Sequence, residues 1–492
     1  MHTGRNILAF FLIVLLGLLF VAAWFVQGDD ANLTVAQVAG ADPVLEEPKA
    51  EAFPTVQIAE PVGWAADDAP SAAAGLVVTR FAEGLDHPRT MHTLPNGDVL
   101  VSLTRGPKGE GKDDGGIMPA IRGFIEKTLF EKAGSAGPSP NTLLLLRDSN
   151  GDGRADQQVA LTKELDSPSG IAWKDGKLYV ANHDEVLEFA YELGSTTLAG
   201  EPRKLMDLPG GGGHWMRNLE LNEAGDKLYV AVGSVSNIGE QGMEVEEGRA
   251  MIWEYDFAKQ AARPYAQGLR NPNGLDWNPW SGELWTTVNE RDMLGSDLVP
   301  DYLTNVPVGA QYGWPWIYYK DNYDRRVKEP MPAYLQEYAR NPEYALGPHV
   351  AALGFAFTRE GQRLGSQFGQ GAIIARHGSW NRKPPSGYDV VYVAFDDRGN
   401  PQGLPKPLLT GFLNGDGTTK GRPTWVAWAG DGALLVSDDT AGIIWRVIDP
   451  KAAPGAAIVR KKGESLRPTR ELTGDPRAAF GEEDYARIEP AQ

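Results

Sequence analysis

Six times along the chain, a short polar lead-in runs into an apolar strand, a turn with Gly or Asn, and a second strand. The copies are LDHPRTMHTLPNGDVLVSL from Leu85, LDSPSGIAWKDGKLYVA from Leu165 and HWMRNLELNEAGDKLYVAVGS from His214. They continue as LRNPNGLDWNPWSGELWTTVNE from Leu269, HVAALGFAFTREGQRL from His349 and GRPTWVAWAGDGALLVSDD from Gly421. The turn residues suit hairpins, and the alternation in KLYVA and ALLVS suits strands. A unit recurring every ~50 to 80 residues marks a repeat architecture. Strand-turn-strand units without an intervening helical period point to a β-propeller rather than a helical solenoid. The expected fold is all-β, a six-bladed β-propeller over residues 75–450. The 58 glycines, 35 prolines and 14 tryptophans fit many short strands and turns.

The flanks read differently. Ile7 to Val26 is an apolar run long enough to span a bilayer, preceded by Arg5. It predicts a transmembrane anchor over 1–26, or a cleaved signal with Val21-Ala22-Ala23 near the processing site. The positive-inside rule then places the bulk of the chain outside the cytoplasm, in a periplasm-facing cell envelope, with the membrane touched by this helix only. Residues 27–74, rich in Ala, Pro, Asp and Glu, read as a flexible spacer, and 451–492 as a charged tail. Two excursions interrupt the repeats, Thr104 to Pro140 with a short helical pattern, and Asp301 to Pro348, rich in Tyr and Pro.

The formal charge of −18 and the lack of a basic stripe exclude nucleic acid as a partner. With no cysteine, disulfides, thiolate metal sites and Cys nucleophiles are excluded too. The sequence holds no GxSxG elbow, Walker loop or HExxH helix.

The lead-ins of a propeller converge around its central channel. Here they contribute His87 and Arg89; Ser167 and Ser169; His214 and Arg217; Arg270, Asn271 and Asn273; His349; and Arg422 and Thr424. Such a ring either receives a polyanionic, carbonyl-rich ligand or satisfies itself and ordered water.

The motifs HWMRNL, RNPNGLDW from Arg270, NER at Asn289, YGWP at Tyr312, HGSWNR at His377 and GRPTW at Gly421 resemble the PQQ-dependent soluble glucose and aldose sugar dehydrogenases. HGSWNR points to their sorbosone dehydrogenase branch. The resemblance implies PQQ and calcium as cofactors, a small sugar as substrate, and a soluble or respiratory-quinone electron acceptor. It implies that His214 is the catalytic base and that Arg270, Asn271 and Asn273 contact the cofactor. Arg422 matches a carboxylate-binding arginine, Thr424 stands at its usual companion, and Arg382 (or Arg376) substitutes for a family lysine. The catalytic calcium falls on the main-chain carbonyls of Glu290 and Arg291, and a structural calcium near Asp301 and Tyr312. Gly213 stands where the glucose enzymes carry the aspartate that orients the histidine.

Three further stretches carry alternatives. DSNGDGRAD offers Asp148, Asn150, Asp152 and Asp156 either as a calcium loop or as an Asp/Asn/Gly turn between strands. PWIYYKDNY from Pro315 is either a sugar-stacking wall or aromatic packing over a blade edge. Gly210 to Gly213, ahead of His214, mark a close approach of chain to chain or chain to ligand. Set against the dehydrogenase reading are a propeller that only binds partners and a calcium-dependent lactonase.

Overall fold

Strands in the middle of a propeller blade are covered on both faces by the neighbouring blades, so they are apolar throughout rather than alternating. Val99–Leu103 (VLVSL), Thr142–Arg147 (TLLLLR) and Gly371–Arg376 (GAIIAR) follow that rule. The outermost strand of a blade faces solvent and tolerates proline, because its free edge needs no donor. Ala199–Asp207 (AGEPRKLMD), Ala261–Gln267 (AARPYAQ) and Pro401–Thr410 (PQGLPKPLLT) carry that signature, and each meets its partner strand with a register shift.

The structure, a computed structural model, describes residues 28–107, 132–134, 136–458 and 460. Six antiparallel sheets form the blades. Blade one is Pro88–Thr93, Val99–Leu103, Thr142–Arg147 and Gln157–Thr162. Blade two is Gly170–Lys174, Lys177–Ala181, Glu185–Ala190 and Ala199–Asp207. Blade three is Leu219–Leu221, Lys227–Val232, Met251–Asp256 and Ala261–Gln267. Blade four is Asn271–Trp277, Leu284–Asn289, Pro300–Asn305 and Tyr344–Pro348. Blade five is Ala352–Phe357, Gly371–Arg376, Asp389–Phe395 and Pro401–Thr410. Blade six joins Pro423–Trp428, Leu434–Asp438 and Ile443–Ile448 to the N-terminal strand Val77–Ala82, which closes the ring. Each of the six blade interfaces buries its own apolar cluster, for example Leu100, Leu143, Ile171 and Val180 between blades one and two. The expected six-bladed propeller is thereby observed.

Three boundaries are corrected. The segment 28–74, expected as a flexible spacer, lies on the propeller. Ala39–Gly40 extends blade four, Ser71–Ala72 extends blade five, and Val38, Thr55 and Ala59 are buried. The excursion from Asp301 to Pro348 contains two strands of blade four, so the true insertion is the stretch between Asn305 and Tyr344. The tail begins by packing, with the Gly455 amide donating to the Gln362 carbonyl at 2.8 Å. The expected anchor, 108–131 of the first excursion, and most of the tail lie outside the described residues. Among the described residues, no helix is long and apolar enough to cross a membrane.

Around the axis the inner strands touch backbone to backbone. A Cβ on Gly274 of blade four would lie 2.7 Å from the Leu353 carbonyl oxygen of blade five and 3.0 Å from the Phe355 nitrogen. In blades one, four, five and six the inner strand bulges just after the lead-in, between Pro88 and Met91, Pro272 and Leu275, Ala352 and Phe355, and Pro423 and Trp425. A bulge re-aims the side chains at that level. We predict that Gly274→Ala destabilises the fold by about 2 kcal/mol through overpacking against backbone. A fall in the urea midpoint at unchanged m-value is the expected readout, and an unchanged midpoint contradicts the close approach.

Candidate functional site in the channel

The lead-ins supply only half of the ring. Each blade's second strand runs antiparallel to the first, so its C-terminal end returns to the same face of the molecule. Those ends deliver Ser234, Asp292, His377 and Asp439, shortly after Val232, Asn289, Arg376 and Asp438. Sequence reading missed Ser234, Asp292 and Asp439, although counting strand ends in the repeat would have found them.

His214 is half-buried, and its Nδ1 lies 2.9 Å from the Ser234 carbonyl oxygen and 3.1 Å from Ser234 Oγ. Ser234 Oγ itself donates to the Ser236 carbonyl at 2.7 Å, so the carbonyl partner fixes the proton on His214 Nδ1. The other ring nitrogen, Nε2, is left as the basic one. Burial, followed by the charge of Arg270, pushes this imidazole down to about 3, so it is neutral at physiological pH. The loop that carries Ser234 is braced by Glu246, which accepts from the amides of Val235 and Ser236 at 2.8 and 2.9 Å. The Ser234 carbonyl thus fixes the tautomer of His214 with no side chain contributed by Gly213.

The glycine run has a physical cause. Gly211 and Gly212 sit at φ of 76° and 84°, a region that side chains disfavour. Two buried guanidinium groups hold the run by its carbonyls. Arg217 donates to Pro209 and His214 oxygens at 2.7 Å each, and Arg249 donates to the Gly210 oxygen. Burial, first, and then Arg249 lower the Arg217 pKa to about 9.

Beside His214, Arg270 donates Nη2 to Asp292 at 3.0 Å and Nη1 to the Glu290 carbonyl at 2.6 Å. Asp292 also faces His349 Nδ1 at 3.4 Å. Burial works against the Asp292 carboxylate, but Arg270 and His349 outweigh it and keep its pKa below the usual value.

Across the channel, Asp439 gathers three groups, with Arg89 Nη1 at 2.6 Å, His377 Nε2 at 3.0 Å and His87 Nε2 at 3.5 Å. Burial pushes both imidazoles down to about 4. Arg89 also lies over the Trp215 ring at 5.6 Å. Arg422 is buried, donates to the Tyr388 hydroxyl at 2.9 Å, and has no carboxylate partner among the described residues. Its Nε, like that of Arg89, is buried without a partner. Three guanidinium groups therefore face two carboxylates, an excess of positive charge out of water.

Several expected contacts are placed elsewhere. Asn273 donates to the Asn271 carbonyl at 3.0 Å and to Asn289 Oδ1 at 3.3 Å, while Asn271 donates to Asn289 Oδ1 at 3.4 Å. These amides bind one another. Thr424 bonds back to the Arg422 carbonyl at 3.2 Å and is fully buried. Arg382 is engaged by Asp297 and by the carbonyls of Leu33 and Pro384, each at 2.9 Å, and Arg376 pairs with Asp389. Both hold the N-terminal segment or the blade together and do not substitute for a channel lysine.

The calcium positions fare similarly. The Glu290 carbonyl takes Arg270, and the Arg291 side chain pairs with Glu290 at 3.0 Å. Asp301 accepts from the amides of Glu290 and Ala351 at 2.8 and 2.7 Å, and the Tyr312 hydroxyl donates to the Asn305 carbonyl. Asp148 accepts from the amides of Gly151 and Gly153, Asn150 from that of Asp152, and Asp156 from that of Ser149. This is the turn reading, a hairpin tip between two strands of blade one. Among the described residues, no three His, Asp or Glu side chains form a metal cage.

With this geometry in place, comparison with known proteins is decisive. The TrAA12-like family matches residues 142–307 and 327–450. The chain belongs to the TrAA12-like family. A protein of Borreliella burgdorferi described as uncharacterized is 28% identical over 307 residues, covering 58% of this chain and 77% of its own. A pyrroloquinoline quinone-dependent pyranose dehydrogenase of Coprinopsis cinerea is 25% identical over 448 residues, 78% of this chain, and the match spans 55% of the relative. The calcium structure of the Trichoderma reesei Carbohydrate-Active Enzymes Family AA12 protein superposes with TM-score 0.61 at 21% identity, covering 80% of this chain and 98% of that one. The holo form of the Coprinopsis cinerea pyranose dehydrogenase PQQ domain gives TM-score 0.59 at 21% identity, covering 80% and 100%. At that identity the TrAA12-like structures establish the propeller fold.

We predict that the His214 ring stays in the neutral Nδ1–H form from pH 8 down to pH 5. Imidazole ¹⁵N shifts, assigned by difference with His214→Gln, check this. Protonation near the unperturbed pKa of about 6.5 would contradict it.

Proposed function

We propose that this TrAA12-like propeller is a PQQ-dependent dehydrogenase that oxidises a sugar, an aldose, pyranose or sorbosone-like aldehyde, at the His214 side of the channel. The observation that carries the reading is the pairing of a neutral, tautomer-fixed imidazole with an excess of buried guanidinium charge. The curated and structural relatives named for PQQ and sugar dehydrogenation support it.

The residues fit an anionic quinone. Arg422, buried and without a carboxylate on its guanidinium, and Arg89, with an unpartnered Nε, are ready to hold its carboxylates, while Arg270 spends its donors on Asn237, Asn289, Glu290 and Asp292 and contributes a fixed positive charge beside His214. Bound PQQ supplies a two-electron acceptor for the hydride that leaves the sugar carbon. His214 Nε2 accepts the hydroxyl proton, because Nδ1 is committed to the Ser234 carbonyl. Arg270, fixed by Asp292 and the Glu290 carbonyl, would stabilise growing negative charge through its positive field. Trp215 is held against Arg89 on one side and packs so close to Gly106 that a Cβ there would meet its Nε1 at 2.9 Å. The donors expected for calcium do not fit a resident ion, since Arg270 takes the Glu290 carbonyl, and no step is routed through one.

The acidic cluster required by a calcium-dependent lactonase is not assembled among the described residues. The apolar run Ile7–Val26 supports delivery across a membrane, with the propeller in the cell envelope and electrons passing to a soluble acceptor or a respiratory quinone.

Full-length protein mixed with PQQ and supplied with aldoses, pyranoses and sorbosone is expected to reduce an artificial dye. His214→Gln should lower kcat/KM by about 100-fold or more while PQQ remains bound. Dye reduction that survives His214→Gln unchanged, or its absence with every sugar, overturns the assignment.

A further inference from the structure

The insertion between Asn305 and Tyr344 builds a second feature outside the channel. Its stretch from Val308 to Arg326 falls in the gap between the two family matches, so the family relationship does not account for it. Together with blade three it borders a wide, solvent-open depression of about 390 Å³ lined by Glu244, Arg249, Gln267, Gln311, Trp314 and Trp316.

Trp316 packs on the small apolar cluster of Ile317, Met331 and Leu335, and its Nε1 donates to the Glu329 carbonyl at 2.8 Å. The ring is thus held rigidly while it lines the depression. Gln311 bridges to Ala339, the residue after Tyr338, and its carbonyl accepts from the Arg340 amide at 2.7 Å. That pairing ties Gln311 to the segment that follows the short helix Leu335–Tyr338.

The polar lining complements the rings. Gln311 Oε1 accepts from the Gly313 amide at 3.0 Å, which leaves its Nε2 as a donor without a protein partner among the described residues. Arg249 is buried, and its Nη1 lacks a hydrogen-bond partner. Glu246 is occupied by the loop at Ser236, so Glu244 and Glu247, both exposed, supply the carboxylates that this wall leaves open. Flat apolar faces beside amide donors and a carboxylate acceptor match a neutral saccharide, whose rings present C–H faces and whose edges present hydroxyls.

We propose that this depression is a saccharide-binding site separate from the channel, holding neutral oligosaccharide on Trp316 with Gln311 and Glu244 reading its hydroxyls. Two of its walls stand one hydrogen bond from the channel. Arg249 holds the Gly210 carbonyl of the His214 loop, and Trp314 Nε1 donates to the Asn237 carbonyl at 3.0 Å, which Arg270 Nε also uses at 3.2 Å. The site does not depend on any redox activity of the channel.

The test uses full-length protein without cofactor and four soluble probes, cellohexaose, xylohexaose, maltohexaose and chitohexaose, followed by tryptophan fluorescence and calorimetry. At least one probe is expected to bind saturably at or below about 10 mM. Trp316→Ala should weaken that binding by about tenfold or more, and Gln311→Ala should weaken it severalfold. His214→Gln should leave it unchanged, which separates this site from the channel chemistry. If Trp316→Ala fails to fold by thermal melting, Gln311→Ala and Glu244→Gln carry the test. Saturation by none of the four probes, or binding that these variants leave untouched, overturns the proposal.

Discussion

Six inner strands that meet backbone to backbone leave no space between them for side chains, and the rest of the molecule follows from that crowding. Gly274 packs against the backbone at Leu353, and Gly354 against that of Trp425. Side chains larger than this can fan out only where the strands begin and where their hairpin partners return. The bulges after Pro88, Pro272, Ala352 and Pro423 sit at that level and turn the chain outward from the axis. Polar residues from the lead-ins and from the returning ends of four second strands therefore collect at one face, and a site becomes a consequence of the architecture rather than an addition to it.

What collects there is mainly positive charge out of water, and its compensation is unusual. Arg217 and Arg249 are balanced by main-chain carbonyls instead of carboxylates, which fixes the backbone of the glycine run while leaving the guanidinium charge in place. Arg270 and Arg89 have acidic partners, Asp292 and Asp439. Arg422 has only the Tyr388 hydroxyl and ring. A buried cation with such weak compensation is costly unless an anion completes it. Burial first, and then the charge of Arg270, lower the His214 pKa and keep the base neutral.

The sequence made the propeller legible because its repeat is written in turn chemistry and in strands that are apolar on both faces. The lead-ins that the repeat marks carry His214, Arg270 and Arg422, and all three stand ahead of inner strands in the folded propeller. Local pattern could not show that Asn273 and Thr424 turn inward, because the amide network and the back-bond form only across register shifts between strands. Composition misread residues 28–74 as a spacer. Their strands are two residues long, too short for a periodic signal, and their order depends on distant partners such as Asp297, which accepts from the amides of Asn32 and Leu33. Arg382 was misassigned for the same reason, since its partner Asp297 lies far away in the chain.

The central claim is that the channel is an anion receptor built around Arg422 and ready for a quinone of PQQ type. Equilibrium titration of the purified full-length chain with PQQ, followed by calorimetry at two salt concentrations, tests it most directly. The account predicts one PQQ per chain, with binding weakened by Arg422→Ala and little changed by His214→Gln. A folded protein that binds no PQQ, or binds it equally well without Arg422, would contradict it.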